Sequence, residues 1–271
     1  MKKLLHYAGE IWRVVSPLFI FWGVTAAVVS VFGILWIIFG RYLTFLYSYE
    51  EDVMLLLSGV AALLAAWILW KIDEREGIWY GEIRKKLPVQ AVLPCIGAAV
   101  GASVAGNCLL SLLRLTELGS GQAQSILERG NPAVVVVSTC LAAPLAEEMV
   151  FRVLTYRRLR RNMNGPWAVF LSSLLFALYH GNISQGLYAF LVGMVLALLM
   201  EAYGSAAAPV LAHMAANTVS VLLTWAGTGD LLAEGIFRRA AAILIFGGIL
   251  IISLRRAAAY GKRDVLKGGT K

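Results

Sequence analysis

The stretch Ala146-Glu147-Glu148-Met149-Val150-Phe151-Arg152 sets two carboxylates and a guanidinium inside a run, Asn131 to Tyr156, that otherwise reads as a membrane-spanning helix. Charge at bilayer depth costs several kcal/mol unless it is paired or faces a wet cavity, so an intramembrane ion is by default a functional-site hypothesis. The rest of the chain has to account for these three charges.

Outward from this stretch the chain is 59% hydrophobic with a mean hydropathy of +0.75 over 271 residues. A soluble domain is roughly 45–50% apolar, which excludes that class. Apolar runs near 17–39, 53–70, 89–113, 133–156, 186–203, 207–225 and 236–254 are long enough to span, and a shorter one at 167–180 makes eight. The fold class expected is all-α, a polytopic membrane protein of about eight transmembrane helices. The run from Pro17 to Phe39 is too long for a cleaved signal segment and reads as the first span. Residues 1–128 would hold the first three spans and a cytoplasmic amphipathic loop, 129–226 the polar core and 227–271 the last span with a basic tail, all within one membrane domain.

The net charge of +8 belongs to the loops rather than to a nucleic-acid surface. With both termini cytoplasmic, Lys and Arg divide eighteen to that side and five to the other, Arg152 being left out as intramembrane. That asymmetry supports an even number of spans in the cell membrane. The 71–86 stretch, with interleaved Trp79 and Tyr80, reads as a cytoplasmic loop with an interfacial helix, and 114–130 as a polar loop on the far side. Cys95, Cys108 and Cys140 lie in apolar runs without Cys-x-x-Cys spacing, so free buried thiols are expected. In the third span, Gly97 and Gly101 form a small-xxx-small pattern suited to close helix packing within the monomer.

Glu148 and Arg152 are spaced i, i+4 with the acid first, the favourable order for a helical ion pair. Glu147 is turned about 100° from Glu148 and is left needing another partner, as a general base beside an apolar wall would be. Phe176 and His180 share one face of the fifth segment, and His213 and Asn217 one face of the seventh. Counted from Arg158, Trp167 and Ser205 as markers of one membrane face, Glu147, His180, His213 and Asn217 lie eight to thirteen residues deep. At 1.5 Å per residue that is roughly 12–20 Å, so three helices bring polar groups to one layer. Other catalytic patterns do not assemble. His-Glu-x-x-His is absent, Gly227-Thr228-Gly229-Asp230 sits at a helix end without a second deep Asp, and Gly101-Ala102-Ser103 lacks the glycine a rhomboid serine site would add.

As an ordered set, Glu147-Glu148-x-x-x-Arg152, Phe176-x-x-x-His180 and His213-x-x-x-Asn217 resemble the motifs of the CPBP (CAAX protease and bacteriocin-processing, Abi) family, which includes the type II CAAX prenyl endopeptidases. The resemblance covers about residues 130–226. It implies an eight-span fold with a conical active-site cavity recessed in the membrane, and an endopeptidase acting on protein or peptide substrates in or at the bilayer. Carried over by motif, Glu147 would activate water with His180, His213 and Asn217 would stabilise the oxyanion, and Glu148, Arg152 and Phe176 would orient the site. The family's metalloprotease label raises zinc as a cofactor, with Glu147, His180 and His213 as candidate ligands; Asn is a poor zinc ligand, and the water-activation scheme needs no metal. Two other readings of the same polar layer are a non-catalytic membrane scaffold or regulator and a transporter with Glu147 as proton site, the second disfavoured by the lack of an inverted repeat. Nothing in the chain marks a prenyl-binding groove.

Overall fold

A computed structural model describes residues 2–42, 49–76, 85–118, 122–227 and 235–268. The described residues are helical with no strand, arranged as α1 (Lys2–Phe39), α2 (Glu50–Glu76), α3 (Val89–Leu112), α4 (Gln122–Arg129), α5 (Pro132–Asn162), α6 (Gly165–Tyr179), α7 (Ile183–Tyr203), α8 (Ala207–Trp225) and α9 (Ile236–Gly268). Seven of them are long and apolar enough to cross a membrane, and α6 is a shorter apolar helix beside them. This is the expected polytopic membrane protein of about eight spans. Large apolar side chains such as Ile37, Leu93, Phe237 and Leu244 stand exposed on the outside, where a bilayer rather than water would meet them.

Local chemistry sets the helix ends. Asn131, Asn164 and Asn182 each turn a side-chain oxygen onto a backbone N–H of the next helix, of Ala133, Trp167 and Gln185 respectively. Such caps satisfy donors that no intrahelical carbonyl can reach, and Pro132 and Pro166 follow where a missing N–H costs nothing. Gly204 closes α7 in the left-handed region at φ 58°, a conformation that a Cβ would strain.

Helix α5 departs from a regular α-helix. Val136–Ala142 and Met149–Tyr156 are π-helical, with Ala143–Glu148 as an α-helical piece between them. Widened i→i+5 turns are rare and gather at functional sites because they re-aim side chains that a uniform helix would carry round. Glu147 and Glu148 close the α-helical piece and Arg152 lies in the second wide stretch.

Two apolar clusters meet across α7. One joins α3, α7, α8 and α9 through Ala98, Ala99, Leu196, Leu199, Ala212 and Ala257. The other joins α1, α2, α5 and α6 through Phe21, Ala65, Phe151 and Phe176, and takes Ala189 from α7. The small residues of α3 serve the contact expected of them within the chain. A Cβ on Gly101 would come within 2.7 Å of the Phe246 carbonyl oxygen, and one on Gly97 within 2.6 Å of Ser253 Oγ, both on α9. All three cysteines are free and buried, as expected.

Five expectations need correction or limits. The first helix begins at Lys2 and carries Pro17 in its interior rather than starting there. The last runs on to Gly268, past the apolar limit at 254, as its basic residues continue the helix beyond the span. The 114–130 stretch holds α4, anchored by Trp225 Nε1 donating to the Leu127 carbonyl at 2.8 Å, so it is a packed element and not merely a loop. The interfacial helix read within 71–86 and the Gly227–Asp230 motif fall largely on residues 77–84 and 228–230, outside the described residues.

Candidate active site

Helix α5 supplies the acids. Glu148 and Arg152 are both fully buried, and Arg152 Nη1 donates to Glu148 Oε1 at 2.8 Å, which is the ion pair that their spacing implied. Two further contacts hold the guanidinium. Its Nη2 donates to the Gly193 carbonyl of α7 at 3.2 Å, and its centre lies 4.5 Å over the Phe176 ring. A Cβ on Gly193 would stand 3.2 Å from that same nitrogen and 3.1 Å from Phe176, so the bare backbone there makes room for both. Gly193 is a residue that sequence reasoning missed, because a glycine in a Gly-rich span carries no signal of what it touches.

Helix α8 brings His213 against both acids. Its Nδ1 lies 2.7 Å from Glu148 Oε1, and its Nε2 lies 3.7 Å from Glu147 Oε2. Glu147 keeps 14% of its side chain exposed while Glu148 keeps none, so the two neighbours in sequence meet different surroundings. At the end of α6, His180 Nδ1 lies 2.9 Å from the Phe176 carbonyl oxygen, and its ring meets that of Phe176 edge-on at 4.8 Å. Phe176 also meets His213 edge-on at 5.7 Å and Phe151 at 4.9 Å. It is the apolar hub between the two imidazoles and the guanidinium.

The partners decide the tautomers. A carbonyl only accepts, and Glu148 Oε1 already accepts from Arg152, so each histidine donates from Nδ1. In its neutral form each ring therefore carries its lone pair on Nε2. Asn217 stands apart from this cluster in its bonding. Its Nδ2 donates to the Thr139 carbonyl at 2.8 Å, in the first π-helical stretch of α5, so one of its two amide hydrogens ties α8 to α5.

Acceptors on both Nδ1 atoms are what the outer shell of a zinc site would use. Among the described residues, however, no group of three or more His, Cys, Asp and Glu side chains converges to hold a metal ion, so the set Glu147, His180 and His213 does not fit one in this arrangement. The cavity that the described residues form at Lys85, Leu198 and Lys262 lies elsewhere and takes in none of the motif residues.

Comparison with known proteins falls on the same segment. The family described as type II CAAX prenyl endopeptidase Rce1-like matches residues 129–219. A Bacillus subtilis (strain 168) protein named "Putative membrane peptidase YdiL" is 27% identical over 106 residues, which is 38% of this chain and 43% of that relative. The match thus spans under half of the relative's length, and no solved structure matches. Over residues 129–219, the stretch that carries every motif residue of the site, the chain is similar to the CAAX-type proteases of the CPBP family.

Proposed function

We propose that the protein is an intramembrane endopeptidase that hydrolyses peptide bonds of membrane-associated proteins or peptides. The observation that carries this reading is the seat of His213, whose two nitrogens face two adjacent carboxylates of another helix, one fully buried and one partly open. A purely structural clamp needs only the buried pair. The open acid beside an imidazole is what acid–base chemistry on a peptide would use.

In the proposed reaction Glu147 takes a proton from water, with His180 Nε2 as the second acceptor at the site. The water oxygen bonds to the scissile carbonyl carbon, and the carbonyl electrons move onto its oxygen. The second amide hydrogen of Asn217, and the Nε2–H that His213 carries once it has taken up a proton from solvent, receive that charge. The C–N bond then breaks, and the leaving nitrogen takes the proton that Glu147 accepted, giving a carboxyl and an amine product. Glu148, held by Arg152, positions His213 and touches no reacting atom. No step runs through a metal. Both termini are placed on the cytoplasmic side of the cell membrane in this reading, following the division of basic residues.

The test compares membrane proteomes of cells carrying the wild type or Glu147→Ala at matched expression, mapping new peptide termini. Termini that vanish in the variant support the proposal and name the substrate. Identical termini in both overturn it, and leave the scaffold reading, in which the buried Glu148–Arg152 pair serves structure alone.

A further inference from the structure

Tyr179 is the last residue of α6 and stands beside His180, though none of the motifs includes it. Its half-buried ring is held on three sides, by Phe21 at 5.5 Å, by Phe151 at 5.5 Å and edge-on by the His180 imidazole at 5.7 Å. The backbone beneath it is pinned as well, since a Cβ on Gly186 of α7 would lie 3.0 Å from the Ala177 carbonyl oxygen. These contacts fix where the hydroxyl sits, yet among the described residues nothing hydrogen-bonds it. It also lies in the field of the Glu147 carboxylate. A phenol packed for position, set beside an acid and an imidazole and left with its own hydrogen uncommitted, is equipped to bond a ligand at this site.

We propose that the Tyr179 hydroxyl donates to a main-chain carbonyl of the bound substrate other than the scissile one, holding the peptide against Glu147 and His180. This rests on the endopeptidase reading above and adds a substrate-binding residue to it. A phenol is protonated at neutral pH and has one hydrogen to give, so it calls for an acceptor. Glu147 decides which kind. Its charge repels an anionic acceptor such as a free C-terminal carboxylate, whereas an internal amide carbonyl is neutral. The contact therefore favours a segment within a chain over the end of one.

An internally quenched peptide is built around a bond that wild-type cells cut, and kcat and KM are measured with the purified full chain in detergent. Tyr179→Phe keeps the three ring contacts and removes only the hydroxyl. KM should rise about 2- to 12-fold, the range for one neutral hydrogen bond, with kcat unchanged, because the bond is present in ground and transition states alike. Replacing single non-scissile carbonyls of the peptide by thioamides, which accept more weakly, should raise KM in the wild type at one position, and that rise should vanish in Tyr179→Phe. Tyr188→Phe loses a hydroxyl already bonded to Ser103 and Ser220 and should leave KM as it is. An unchanged KM in Tyr179→Phe, a thioamide penalty that persists in it, or an equal rise in Tyr188→Phe overturns the proposal while the endopeptidase reading stands. No cleavage of the peptide by the wild type sinks both. Thermal unfolding in the same detergent checks that each variant is folded; should Tyr179→Phe fail to fold, Tyr179→Leu removes the same hydroxyl and takes its place.

Discussion

Oε1 of Glu148 is shared between Arg152 Nη1 at 2.8 Å and His213 Nδ1 at 2.7 Å, so one buried carboxylate oxygen joins the charge pair of α5 to the imidazole of α8. Removing that charge leaves a buried guanidinium unanswered. Glu148→Gln should destabilise the protein by about 3–5 kcal/mol, the range for breaking a buried ion pair. Thermal unfolding in detergent measures it, and a melting temperature equal to wild type would contradict the arrangement.

Glu147→Gln should behave oppositely. Its side chain is partly open and makes no direct bond to Arg152, so the fold should survive with a melting point near that of the wild type. Peptide cleavage should fall by about 10²- to 10⁴-fold, the usual contribution of a positioned base. The contrast between adjacent glutamates is the check: loss of stability at Glu148 and loss of turnover at Glu147.

Gly193→Ala adds a methyl 3.2 Å from Arg152 Nη2 and 3.1 Å from Phe176 Cδ1. Neither neighbour can move without disturbing the other, so a loss of about 1–3 kcal/mol is expected, as for overpacking. Gly33→Ala, where a Cβ meets nothing within 4 Å, should leave unfolding unchanged and serves as the matched control.

Gly101→Ala should press α3 off α9, because the added carbon meets the Phe246 carbonyl at 2.7 Å and the Leu250 backbone nitrogen at 2.8 Å. Backbone cannot rotate away as a side chain can. A loss of about 1–3 kcal/mol in the unfolding free energy is expected, and a neutral result would argue against the close α3–α9 contact.

Zinc content measured in purified wild type and in His213→Ala should be equally low, and chelation should leave the cleavage rate unchanged. Stoichiometric zinc in the wild type that is lost in the variant would show that Glu147, His180 and His213 draw together around a metal.

Much of this architecture is legible in the sequence. The apolar runs located the spans, and the i, i+4 spacing of Glu148 and Arg152 foretold their pair, since both signals live in local periodicity. The two π-helical stretches of α5 were not, because a turn wider by one residue leaves no mark in the pattern of apolar side chains. The same limit applies to Gly193 and to the Thr139 carbonyl that Asn217 reaches: one is a missing side chain and the other a backbone atom. The mutual bonding of Ser103, Tyr188 and Ser220 across α3, α7 and α8 was equally hidden, being a meeting of three hydroxyls distant in sequence. Helix α4 reads as loop in the sequence because its length and polarity say nothing of the Trp225 indole that holds it.

The bonds made by Nδ1 of His180 and His213 also impose an order of events. A neutral ring whose one hydrogen is already committed to a neighbouring oxygen has none left to give. It can lend a proton only after it has borrowed one, so neither imidazole can begin by assisting departure of a leaving group. In the proposed reaction, therefore, either imidazole has to take up a proton at Nε2 before it can donate from that nitrogen.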